Sequence, residues 1–108
     1  MPILKNYLQE ELQNSLDLKR AYENQIKALP TGSLVPKKIK GHLYYYLVFR
    51  NEGRVVYAYK GKLSKDAVIM HRNAKEKRAR IRSLLLQTNQ QIQFLQKVLH
   101  DRKLQSMP

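Results

Sequence analysis

After Gly61 the chain contains no glycine and no proline until Pro108. A stretch of that length without either breaker, opened by Ser64 as an N-cap and by Asp66 in the first turn, reads as one very long helix over 64–104. Its apolar positions form a seam: Ala74, Ile81, Leu85, Thr88, Ile92, Leu95 and Leu99. From Ile81 the steps alternate between four and three residues, which is the heptad pattern. Such a seam must be covered, either by another helix of the same chain or by a second chain.

A partner is available within the chain. Over 3–29 apolar residues recur at helical spacing (Leu4, Leu8, Leu12, Leu16 or Leu18, Tyr22, Ile26, Leu29) with polar residues between them, until Pro30-Thr31-Gly32 stops the helix. At 1.5 Å per residue this helix reaches ~39 Å, against ~57 Å for residues 65–103. If the two lie antiparallel as a coiled-coil-like hairpin, the first covers the C-terminal part of the second and leaves its front third uncovered.

Residues 33–62 change character. Leu43-Tyr44-Tyr45-Tyr46-Leu47-Val48-Phe49 and Val55-Val56-Tyr57-Ala58-Tyr59 are aromatic and β-branched, and Gly53 between them suits a tight hairpin loop. A third strand over Ser33–Lys40 contains Pro36, which restricts it to a sheet edge. The expected fold is α+β in a single domain, residues 1–108: long helix, three-stranded antiparallel meander, very long helix.

The front of the second helix is also the most charged part of the molecule. Arg72, Lys75, Lys77, Arg78, Arg80 and Arg82 face one acid, Glu76, in a chain of net charge +13. A helix loaded this way repels itself and attracts polyanions. The expected contacts are phosphates, held by those six residues together with Lys37, Lys38, Lys40, Arg50 and Arg54. At the seam position Arg78 a charge is expected where the helix–helix core has ended. The bland alternative is a solvated helix surface.

Alternation places Tyr44 and Tyr46 on one strand face, and Tyr45 with Leu43, Leu47 and Phe49 on the other. Rings beside lysines make a stacking platform for unpaired bases, so Tyr44 and Tyr46 are candidate contacts and Tyr45 a structural residue. Tyrosine also simply favours strands.

Catalytic chemistry finds no support. There are no cysteines, and His42, His71 and His100 lie in three different elements without metal-ligand spacing. His71, beside Arg72, is assigned to the basic surface. The acids do not pair, and there is no glycine-rich phosphate loop or serine elbow. No cofactor, metal or catalytic residue is expected. No run reaches transmembrane length, and the N-terminus lacks a signal-peptide core, so a cytoplasmic protein without a membrane role is expected.

Three readings compete. The first is a basic nucleic-acid-binding protein. The second is an inhibitor of a host nucleic-acid-handling enzyme, for example an anti-CRISPR acting on an RNA-guided nuclease. The third is a coiled-coil assembly protein, with a homodimer through the 81–99 seam. The segments Leu29-Pro30-Thr31-Gly32-Ser33-Leu34, Gly41, Tyr44-Tyr45-Tyr46-Leu47, Arg54-Val55 and Tyr59-Lys60-Gly61 resemble a family of small uncharacterised bacterial and mobile-element proteins with a tyrosine-rich hairpin between helices. That resemblance covers roughly the middle third of the chain. It implies the same fold and a phage, plasmid or transposon setting, and no activity.

Overall fold

The computed structural model describes residues 2–101. Helix α1 spans Pro2–Ala28, strands β1, β2 and β3 span Ser33–Ile39, His42–Asn51 and Arg54–Gly61, and helix α2 spans Lys65–Leu99. This is the expected α+β order. Of the helix expected over 64–104, residues 102–104 lie outside the described residues. His100 and Asp101 end the helix rather than extend it. The His100 N–H still reaches the Gln96 carbonyl, but the Asp101 N–H bonds to Val98, three residues back, so the last turn tightens and stops.

The chain divides into two compact units, one of residues 2–27 with 80–101 and the other of Ala28–Ala79. In the helical unit α1 meets the second part of α2. Ile81, Thr88, Ile92 and Leu95 are buried, as the heptad spacing requires, and on α1 Ser15 is buried. The Thr88 hydroxyl satisfies itself by donating to the Leu84 carbonyl at 2.8 Å. The seam is therefore covered within one chain, and a homodimer through residues 81–99 would have to displace that covering.

In the other unit the sheet is a meander in the order β1-β2-β3, antiparallel throughout. Pro36 lies on the edge strand β1 opposite Tyr45, where the missing N–H costs no ladder bond that a central strand would need. Both hairpins close with two residues of positive φ: Lys40 (50°) and Gly41 (82°), then Glu52 (51°) and Gly53 (78°). Two successive positive φ values are the type I′ signature, whose twist matches that of the flanking strands. Ser64 caps α2 through its hydroxyl, which accepts the Ala67 N–H at 3.1 Å.

The register sorts the sheet residues into two faces. Leu34, Pro36, Leu43 and Tyr45 face α2 and, with Val68, His71, Arg72 and Lys75, line a cavity of 340 Å³. Tyr44, Tyr46, Tyr57 and Tyr59 occupy the opposite face, because Tyr46 pairs with Tyr59 and Val48 with Tyr57.

Candidate nucleic-acid interface

The outward face of the sheet is built on β2, whose alternation puts Tyr44 and Tyr46 two residues apart on one side. Tyr59, directly across from Tyr46 in the ladder, meets both. Its ring lies 5.3 Å from Tyr46 in an edge-on arrangement and 6.4 Å from Tyr44 in a tilted one. The edge of one ring against the negative face of the next is the favoured aromatic geometry, which holds the cluster without burying it. Tyr57 and Tyr59 remain 67% and 59% exposed, while Tyr44 and Tyr46 are half-buried by their neighbours.

Cations border this face. Lys37 pairs with Tyr44 in the β1–β2 ladder, and Arg50 pairs with Val55 in β2–β3. The Lys62 ammonium stands 5.9 Å from the centre of the Tyr44 ring, within cation–π range. Val35, Pro36, Lys37, Tyr46 and Tyr57 surround an open groove of 370 Å³. In register terms the ladder shifts between Tyr45 and Tyr46: Tyr45 faces Gly61 and Tyr46 faces Tyr59, so Lys60 is left out of the pairing.

The helix residues are arranged differently from the sequence expectation. Arg78 is buried, at 6% exposure, and its guanidinium donates to the carbonyl of Pro30 and, at 3.1 Å, to that of Gly32. It is an internal anchor, so we correct its assignment as an open phosphate ligand. A buried seam position tolerates the charge because two otherwise unpaired carbonyls accept from it. His71 is half-buried and lines the inner cavity together with its basic neighbours Arg72 and Lys75. Arg72, Lys75, Lys77, Arg80 and Arg82 are exposed. Arg72 and Lys75 rim the inner cavity, whereas Arg80 and Arg82 belong to the helical unit.

The structure therefore separates what the sequence analysis combined. The tyrosines and the cations Arg72 and Lys75 sit on opposite faces of the sheet. Lys37 and Arg50 accompany the tyrosines, Lys38 has the inward parity at the exposed edge, and Lys40 and Arg54 lie at the hairpin ends. Sequence reasoning missed Tyr57 and Tyr59 as members of the outer site. The signal was present in the i, i+2 spacing of Tyr57 and Tyr59, but which β2 residues they join depends on register. Among the described residues no three His, Cys, Asp or Glu side chains converge as a metal site, and no helix is long and apolar enough to cross a membrane. Comparison with family models, with curated proteins and with solved structures finds no match.

Proposed function

We propose that this is a non-enzymatic nucleic-acid-binding protein that stacks unpaired bases on the outer face of its sheet and holds the adjoining phosphates with the surrounding cations. The observation that carries the reading is the outer tyrosine face, with Tyr57 and Tyr59 exposed and Tyr44 and Tyr46 half-buried beside them, bordered by Lys37, Arg50 and Lys62. An aromatic patch left in water favours a partner that covers it. Unpaired bases do so with their π-faces, and the phosphates that follow them meet the lysines and the arginine. Residues 28–79 hold twelve Lys and Arg against three Asp and Glu, which favours a polyanion over an apolar protein surface. The exposed α2 cations Arg72, Lys75, Lys77, Arg80 and Arg82 add a further positive field. The mobile-element setting implied by the resemblance suits such a protein.

The test is fluorescence anisotropy with labelled single-stranded DNA, single-stranded RNA and duplex DNA of one sequence. The expected result is binding of single strands that quenches tyrosine fluorescence and is preferred over duplex at equal salt. Absence of binding at low salt, or binding without any change in tyrosine emission, defeats the proposal.

A further inference from the structure

We infer that the helical unit is a self-association surface, on which a second copy of this chain packs along the groove between α1 and the second part of α2. The surface is not the heptad seam, which is already covered, but the edge beside it. On α2 the residues Leu84, Gln87, Gln91, Phe94 and Val98 follow one another at steps of three and four and so form a single row. On α1 the corresponding row is Leu4, Tyr7, Glu11, Leu18 and Tyr22. The two rows flank a cleft of 190 Å³ whose walls include Leu18 and Tyr22 from α1 and Leu84, Gln87 and Gln91 from α2.

Three observations choose a second copy as the occupant. First, the helical unit is under-buried. No described side chain in the protein is less than 2% exposed, yet Tyr7 and Phe94 are 59% and 64% exposed, and Leu4, Leu18 and Leu84 are each more than 40% exposed. A two-helix layer cannot enclose its own apolar residues, and the usual remedy is a second such layer, giving four helices around one core.

Second, the charge pattern suits self-contact. Residues 83–96 contain no charged residue in a chain of net charge +13. Two copies of so basic a protein repel each other everywhere except where neither presents a cation. Glu11 is the one charge on either row, and it is an acid. An acidic partner protein would instead be drawn to the cationic surfaces of the other unit. Glutamines at the centre of the α2 row supply donors and acceptors that pair equally well with the same glutamines of a twin.

Third, the available area is adequate. From Leu4 to Tyr22 the α1 row is ~27 Å long, and two helices side by side, each ~10 Å across, give a projected face of about 500 Å². Its corrugated accessible area approaches the ~800 Å² per partner buried in an ordinary stable interface.

The proposal is tested on the full chain, nuclease-treated and purified in 1 M NaCl so that bridging by nucleic acid is removed. Sedimentation equilibrium should report twice the 12.8 kDa chain mass at micromolar concentration and above. A mass of one chain at every concentration overturns the inference, as does a dimer that disappears on nuclease treatment. The variant Gln87→Lys/Gln91→Lys changes only exposed polar residues, so it leaves the core untouched. It should weaken the dimer by about tenfold or more at low salt and recover most of that loss in 1 M NaCl, where like charges are screened. Unchanged association of this variant at low salt, with helicity intact by circular dichroism, places any dimer contact elsewhere and overturns the inference. Leu18→Lys/Phe94→Lys should be monomeric and still helical.

Discussion

Arg78 donates from Nη2 to the Gly32 carbonyl at 3.1 Å, joining α2 to the entry of β1 across 46 residues of sequence. The same guanidinium reaches the Pro30 carbonyl. This fork explains how a cation occupies a buried seam position. The turn that ends α1 presents two carbonyls with no strand or helix partner, and a planar, always charged donor satisfies both.

Arg78→Ala should therefore destabilise the fold by about 3 kcal/mol, because it empties a buried site and leaves two carbonyls without their donor. Arg78→Lys should recover only part of this, since an ammonium cannot reproduce the fork. Urea denaturation followed by circular dichroism measures both. The affinity of the folded fraction for nucleic acid should be almost unchanged. A large loss of affinity at unaltered stability would return Arg78 to the list of phosphate ligands.

Gly32 is the other half of that relationship, and it is sterically committed. Its φ is +93°, and a Cβ placed there would lie 2.9 Å from the Val48 carbonyl oxygen and 3.1 Å from the Leu47 side chain. Gly32→Ala should cost about 2–3 kcal/mol from left-handed strain plus a backbone clash that cannot relax by rotating a side chain. Gly53→Ala meets no atom within 4 Å, so it should cost only about 1 kcal/mol, the conformational part alone. Thermal melts of the two variants side by side check the difference.

Tyr57→Ala/Tyr59→Ala should weaken single-strand binding by about 1–3 kcal/mol for each ring that stacks. Both side chains are more than half exposed, so the melting temperature should move little. Tyr45→Ala should do the reverse, lowering stability through the inner sheet face while sparing the outer one. Titrations by anisotropy, paired with melts, separate the two effects.

Salt dependence reports the phosphate contacts. If about six phosphates are neutralised, the slope of log K against log salt should be near −4 on single strands and near −5 on duplex DNA. Lys77→Gln/Arg80→Gln/Arg82→Gln should make the duplex slope shallower by up to about 3, whereas the tyrosine variants should leave the slope unchanged. A flat salt profile for the wild-type protein would remove the nucleic-acid reading altogether.

The elements themselves were legible in the chain because their causes are local. Two long runs of helical periodicity, a proline–threonine–glycine stop, a glycine hairpin and a serine cap each act over a few residues, and each is found where those residues stand. The edge position of β1 followed from Pro36 alone. The seam from Ile81 to Leu95 followed from its spacing, with Thr88 self-satisfied in it.

What only the tertiary structure decided concerns faces and partners. Alternation pairs Tyr44 with Tyr46 and Tyr57 with Tyr59, but the register of β2 against β3 determines that all four share one side, with α2 on the other. A run of six cations shows its net charge but not which member turns inward. That was set by two carbonyls 46 and 48 residues earlier in the chain. Local composition sets how a segment folds and how strongly it attracts an anion. Which side chain meets solvent depends on contacts between segments far apart in sequence.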